Sequence, residues 1–461
     1  MSDTKEDLRA AWDDFLGSLQ QARDAIDDPR WMPPPASDRN LAEGYRYLMG
    51  YVHSAVERAF HSDSDRPHFR NALSIVNRAT IDNADAIYFF APIHGRQSYL
   101  IRGAIGDARH WRGEAPAPHG PKAPHYLIFE ASFGALAGDS GELTELMPGV
   151  KTQTGRIDSS AIEVDDDGRF EILLAPERPA GHRGNFVSTR KVVDKPHPTD
   201  ASIGPERYAS YVSGRQLFDD WEREEPIHLE IVQLGAEGTH GEPYAAGRAA
   251  AELRHCGELV RNQMRFWNAF WTILMGTYGE RPGTLPGIGF SRNAFNTVNA
   301  ASGATGGGMG TNLYAGGVAE FGEGEALIVE NRIHLAPQYV GFQLGNLWGE
   351  SLEYANQVGS RNGHQSRVDE DGVIRMVIAH EDPGVQNWLD TTGHPEVFMA
   401  PRWAYSETPA QDRWPTITAK KVRLADVRAH LPQGTPDFTP EQRRAEIAAR
   451  QRHVQRRYRV F

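Results

Sequence analysis

The chain reads as a mainly β protein with helical additions: two related jelly-roll-like β-sandwich modules linked by a long helix, with helices at both ends. Three observations predict this. Short apolar runs recur, each bounded by Gly, Pro or Asp clusters, as strands do. Gly (46) and Pro (29) are abundant in the 461 residues, which favours a turn-rich sandwich over a bundle. The third is an internal repeat. "VDDDGRFEILLAPERP" (164–179) aligns without a gap on "VDEDGVIRMVIAHEDP" (368–383), sharing seven of sixteen residues.

From the N-terminus, Leu8, Trp12, Phe15, Leu16, Leu19 and Ile26 recur at helical spacing, predicting an amphipathic helix over 4–27 that "MPPP" (32–35) stops. A second helix over 40–60 places Leu41, Tyr45, Leu48, Val52 and Val56 on one stripe. β-like text follows at 85–93, 98–105, 125–133, 160–164 and 169–175. A long helix over 243–275, with Leu253, Cys256, Val260, Trp267, Phe270, Trp271 and Leu274 on its apolar stripe, runs into breakers and a Gly-rich loop (301–317). β-like text resumes at 325–335, 338–344 and 373–380. The chain ends in a basic helix with Thr439 as N-cap and Gln442 three residues on.

The repeat extends beyond its sixteen residues. Asn185-Phe186 falls opposite Asn387-Trp388, and "PHYLIFE" (124–130) matches "PQYVGFQ" (337–343) at Pro, Tyr and Phe. The organisation is therefore a helical region (1–80), a first module (81–240), a helix and Gly-rich linker (241–314), a second module (315–430) and a C-terminal basic helix (431–461).

Global properties exclude several functions. Net charge is −12, with no basic stripe before the extreme C-terminus, which argues against nucleic acid and anionic membranes as partners. No run approaches the ~18 apolar residues of a membrane span. The acidic amphipathic N-terminus is not a signal peptide, so a cytoplasmic location is expected. The single cysteine, Cys256, forms neither an internal disulfide nor a Cys-type zinc cage, and on a helix stripe it reads as an inert core thiol. No GxSxG elbow and no GK[ST] loop is present.

The second module resembles the family known as domain of unknown function 1214. The matching residues are "GFQLGNLWGESLEYAN" (341–356), "RNGHQSRVDEDG" (361–372), "HEDPGVQNWLDTTGH" (380–394) and "PRW" (401–403). "LAEGYRYLMGY" and "DNADAIYFFAPIHGRQSYLIRG" are similar to the longer members, so the resemblance covers most of the chain. It implies a mostly β, jelly-roll-like sandwich and no agreed chemistry.

Candidate site residues concentrate in that module. Glu381, Pro383 and Asn387 have counterparts in the first copy and so read as architecture. His380, Asp382, Asp390 and His394 do not, and they are the chemically able residues. His380, Glu381, Asp382 and His394 are the expected acid/base groups. Arg361, Asn362, His364, Trp348, Tyr354, Asn387, Trp388, Asp390 and Arg402 are the expected substrate-binding set, with Arg361 pairing an anionic group. The expected function is a cofactor-independent enzyme acting on a small hydroxylated or cyclic molecule, of lyase, isomerase or hydrolase type. One alternative is a divalent-metal version using His380, Asp382 and His394, although HExxH spacing fails at Gly384. The other is a non-catalytic carbohydrate- or small-ligand-binding sandwich using Trp and Tyr. The basic C-terminal helix, free to dock on its own or a neighbouring acidic body, favours a homo-oligomer.

Overall fold

The computed structural model describes residues 2–29, 37–134, 137–138, 140–275, 289–300 and 311–458. The "MPPP" stop, most of the breaker run after the long helix, and residues 301–310 of the Gly-rich loop lie outside them. The chain divides into two compact units. The first comprises Met1–Arg78, Ala86–Phe218 and Arg223–Ala269; the second comprises Ala79–Asp85, Asp219–Glu222 and Phe270–Phe461. Residues 81–85 and 219–222, which the sequence assigns to the first module, and 79–80, from the end of the helical region, thus cluster with the second.

The first unit opens with helices α1 (Ser2–Asp24) and α2 (Asp38–Phe60), the latter capped by the Ser37 hydroxyl on the Asn40 N–H. Among the described residues the strands that follow are β1 (Arg70–Leu73), β2 (Ala86–Pro92), β3 (Tyr99–Ala104), β4 (Tyr126–Phe133), β5 (Thr152–Asp158), β6 (Arg169–Ala175), β7 (Asn185–Ser188), β8 (Arg190–Val192), β9 (Glu206–Tyr208), β10 (Tyr211–Leu217) and β11 (His228–Gln233). Helix α3 (Ala246–Leu274) comes next. The described residues of the second unit form strands β12 (Ser291–Arg292), β13 (Asn312–Tyr314), β14 (Gly317–Glu320), β15 (Glu325–Arg332), β16 (Tyr339–Gly345), β17 (Ser360–Asn362), β18 (Val373–Ala379), β19 (Trp388–Asp390), β20 (Glu396–Ala404) and β21 (Thr416–Arg423). It closes with helix α4 (Pro440–Arg457), whose capping box pairs Thr439 and Gln442 as the sequence predicts.

The two modules share one topology in their central strands and differ at one edge, where β1 runs antiparallel to β2 but β12 runs parallel to β14, and in β13, which pairs with β20. In the first, a sheet ordered β1-β2-β10-β4-β5 faces a sheet ordered β11-β3-β6-β7; in the second, β12-β14-β20-β16-β17 faces β21-β15-β18-β19. Both copies contain an unusual parallel pair, β6 with β7 and β18 with β19, in the same register: Leu173 opposes Phe186 as Val377 opposes Trp388. The launching turn is also duplicated. Gly168 and Gly372 both take φ +75°, and in each the N–H of the first Asp (Asp165, Asp369) bonds the carbonyl that opens the strand. Phe89, Phe129, Ile101 and Ile172 fill the first sandwich; Phe342, Met399, Trp403, Leu327 and Met376 fill the second.

Local readings needed correction in three places. The strand expected at 160–164 is a turn, held by the Ala161 and Ile162 N–H groups on the Asp158 carbonyl; the strand is the polar β5 just before it. Helix α1 turns Trp12 and Leu16 outward and buries Ala11, Ser18 and Ala22, with Gly257 of α3 against Ser18 and Phe15. Helix α2 exposes Tyr45 and Val56 and buries Gly44, Tyr47, Leu48, Tyr51, Ala55 and Ala59. Small residues permit close backbone approach, and that outweighed the larger apolar residues in setting the faces. Cys256 is buried as expected, and burial pushes its thiol up to about 11.

Candidate functional site in the second module

The turn after β18 separates scaffold from chemistry. Asn387 donates to the carbonyls of Arg367 (2.7 Å) and Arg375 (2.9 Å) and accepts from the Arg367 N–H (2.8 Å). Asn185 makes the equivalent set to Glu163 and Glu171 in the first module. Trp388 is a buried anchor whose indole N–H bonds the Ala379 carbonyl at 3.1 Å. These two expected binding residues are therefore framework.

The residues specific to this copy meet around the end of β19. The parallel register sets Ala379 beside Asp390, so His380 and the 390–394 loop are neighbours. His380 is half-buried; its Nδ1 lies 2.6 Å from the Thr391 hydroxyl and its ring meets Phe321 edge-on. Its Nε2 has no hydrogen-bond partner among the described residues. Asp390 is half-buried, and burial raises its carboxyl above the usual range against the opposing pull of the Thr392 N–H, His380 and Arg443. One oxygen accepts from the Thr392 N–H (2.7 Å). Thr392, a β-branched residue, is held at φ +52°, a strained conformation. Its hydroxyl lies 2.8 Å from Nδ1 of the buried His394, which is also 2.8 Å from the Thr391 carbonyl.

The other expected acid/base residues point elsewhere. Glu381 is exposed. Asp382 is ion-paired with Arg443 of α4 at 2.9 Å and also closes its own turn on the Gly384 N–H. Among the described residues no three His, Cys, Asp or Glu side chains group as metal ligands, so the set His380, Asp382 and His394 of the metal-dependent alternative is not assembled. The physical reasons are the Arg443 pair on Asp382 and the inward turn of the His394 ring.

Arg361, expected to anchor a substrate anion, is 1 % exposed. It donates to the carbonyls of Trp388 (3.0 Å) and Gln365 (2.9 Å) and pairs Glu446 of α4 at 2.7 Å. Burial lowers its pKa to about 10 even with Glu446 beside it. Trp348 and Tyr354 are buried rather than lining an open groove, as the carbohydrate-binding alternative requires; the Tyr354 hydroxyl meets that of Tyr458 at 3.0 Å. Arg402 is buried and ties down the carbonyls of Ile81 and Asp82. His364 stays exposed, 3.8 Å from Asp220.

A buried polar centre was missed by the sequence reading, except for Asn362. Asp85, 2 % exposed, accepts from the Trp221 indole N–H (2.8 Å), the Asn362 amide (3.1 Å) and the Tyr339 hydroxyl. Burial raises its carboxyl, while Tyr339, Arg457 and Arg450 pull the other way. The segment leading to it is strained: Thr80 and Ile81, both β-branched, lie at φ +61° and +57°. Asp82 is held by the N–H (2.8 Å) and hydroxyl (2.7 Å) of Ser351.

Helix α4 closes this centre with a charged face. Arg443, Glu446, Arg450, His453 and Arg457, spaced three and four residues apart, share one side of the helix; Glu446 is 17 % exposed and the other four are buried. Arg443 stacks over Trp388, and Arg450 and Arg457 over Trp221. The Glu446 carboxyl, which burial alone would raise, is held below its usual range by Arg361, Arg450 and Arg443. The helix read as a basic tail thus docks on its own unit.

No family model matches the chain, and no curated protein matches it. Two solved structures are similar. An uncharacterized protein from Burkholderia cenocepacia is 23 % identical, with TM-score 0.71 over 92 % of this chain and 99 % of that one. The VPA0106 protein from Vibrio parahaemolyticus is 9 % identical, with TM-score 0.41 over 88 % of this chain and 100 % of that one. The first likeness shows the fold and nothing of the chemistry. Among the described residues no helix is long and apolar enough to cross a membrane.

Proposed function

We propose that the second module is an enzyme domain that moves protons on a small hydroxylated or cyclic organic molecule, with His380 and Asp390 as its acid/base pair. The observation that carries this reading is the state of His380. Its Nδ1 is fixed by the Thr391 hydroxyl, which orients the ring, while Nε2 has no partner among the described residues, and the half-buried Asp390 carboxyl is close enough to feel the His380 charge. An oriented imidazole with one uncommitted nitrogen is the arrangement a general base needs. Burial favours the protonated carboxyl, so Asp390 is suited to return a proton where His380 removes one. The strained Thr392, tied to both Asp390 and His394, supports the reading, since strain of this kind is retained where geometry matters. Lyase, isomerase and hydrolase steps all draw on such a pair. Membership in the domain of unknown function 1214 family is part of the same proposal, resting on the motifs around Asn387-Trp388-Leu389.

The reading is tested by a thermal-shift screen of small hydroxylated and cyclic compounds, followed by histidine-ring NMR on the hits. A stabilising ligand is expected to move the His380 ring signals and to lose its effect in His380→Gln. Ligands that leave those signals in place, or that stabilise His380→Gln equally, contradict it.

A further inference from the structure

The charged face of α4 contains one acceptor that works only without a proton. Arg457 Nε donates to Nε2 of His453 at 3.1 Å. A guanidinium offers hydrogens and no lone pair, so His453 Nε2 must be unprotonated for this bond to exist. The ring is fully buried, stacked on Trp221 at 4.8 Å with 21° between planes. Arg450 and Arg457 also stand over that indole, at 5.0 and 4.6 Å from its centre. A second Arg457 nitrogen donates to the Ala84 carbonyl, directly before Asp85. His453 thus orients Arg457, whose bond to the Ala84 carbonyl secures the last turn of α4 to the buried centre.

We propose that His453 is a proton-operated catch: one proton on its ring breaks the bond to Arg457 and releases the C-terminal turns of α4 from Asp85 and Trp221. This goes beyond the proton-transfer reading of His380 and does not depend on it. The charged and titratable groups facing the ring decide the direction. Arg457, Arg456 and Arg450 come from α4 itself, and the Trp221 backbone, from segment 219–222, hydrogen-bonds the ring; Tyr354 lies under Arg457, and Asp85, on which Tyr339 and Asp219 act, is coupled to Arg457 and Arg450. Burial first, and then Arg457 and Arg456, hold the His453 ring well below its ordinary range. The folded state therefore binds this proton less readily than the open state. The closed form is fully favoured above pH ~6.5, and opening grows by about tenfold per pH unit below it, until the folded ring itself takes the proton. Asp85 opposes this: a carboxyl raised by burial favours the closed form as pH falls through its own range. The net acid response therefore separates the two groups, and a His453 variant isolates one of them.

The experiment is hydrogen–deuterium exchange on the full chain between pH 8 and pH 5, corrected for the intrinsic exchange rate. Protection of amides in 450–458 is expected to fall about tenfold per pH unit below ~6.5, while that of β15 and β18 holds. In His453→Gln, whose side-chain oxygen still accepts from Arg457, the fall is expected to vanish. Unchanged protection in the wild type, or the same fall in the variant, overturns the proposal. Should the variant not fold, nitrogen NMR of the wild-type ring decides: an unprotonated Nε2 at pH 7 supports the catch and an imidazolium refutes it.

Discussion

Asn387→Ala tests the division between scaffold and site. The substitution removes three part-buried hydrogen bonds, of 2.7, 2.9 and 2.8 Å, and leaves the Arg367 N–H and the Arg367 and Arg375 carbonyls without that partner. At roughly 1 kcal/mol net for each, the cost is about 3 kcal/mol, with ~1.5 to ~4.5 as bounds. The first module supplies its own control. Asn185→Ala removes bonds of 2.9, 2.9 and 2.8 Å from the same positions, so it must cost the same within about 1 kcal/mol. Native-state hydrogen exchange of the β6 and β18 amides under increasing urea reads each module's opening free energy separately. A loss under ~0.5 kcal/mol in either variant, or a severalfold difference between them, would refute the argument that the Asn serves the duplicated fold.

Three further outcomes follow from the charged side chains. Arg443→Met leaves Asp382 and Glu446 without their shared partner and is expected to destabilise the second unit by about 2–4 kcal/mol; carbon NMR of Asp390 should show its carboxyl shifting further up, since Arg443 holds it down. Asp390→Asn keeps the acceptor for the Thr392 N–H and removes a carboxyl whose folded pKa is raised. It should stabilise the protein at neutral pH by no more than about 1 kcal/mol, and the gain should disappear as pH falls through the folded carboxyl's range, in denaturation curves at several pH values. Tyr339→Phe takes one donor from the buried Asp85 and should cost about 1.5–3 kcal/mol by urea denaturation.

What the sequence showed plainly was local and periodic. The repeat announces itself because two copies must keep the same turn Gly, the same Asn and the same strand length, and the register of β6–β7 and β18–β19 obeys it. Thr439 and Gln442 were legible because a capping box needs nothing beyond four residues. The charged face of α4 was not. Arg, Glu and His in a polar helix read as a solvated surface, and only tertiary packing turns that face onto Trp221 and Asp85. Asp82 and Asp85 were hidden for a similar reason, since polar residues before an apolar strand look like an exposed turn. Of the expected site residues, His380, Asp390 and His394 do come together around one loop. Arg361, Asn362, Tyr354 and Arg402 are instead bound up in buried contacts, because a residue able to hold a substrate is equally able to hold the chain.

The most direct test is turnover by the wild type and by His380→Gln, with Glu381→Gln as the exposed neighbour, on compounds found to bind. Proton transfer through His380 Nε2 predicts a loss of at least about 100-fold in kcat for His380→Gln at an unchanged unfolding midpoint, and no loss for Glu381→Gln. Full turnover by His380→Gln, or no turnover of any bound compound by the wild type, would contradict the assignment of chemistry to this loop.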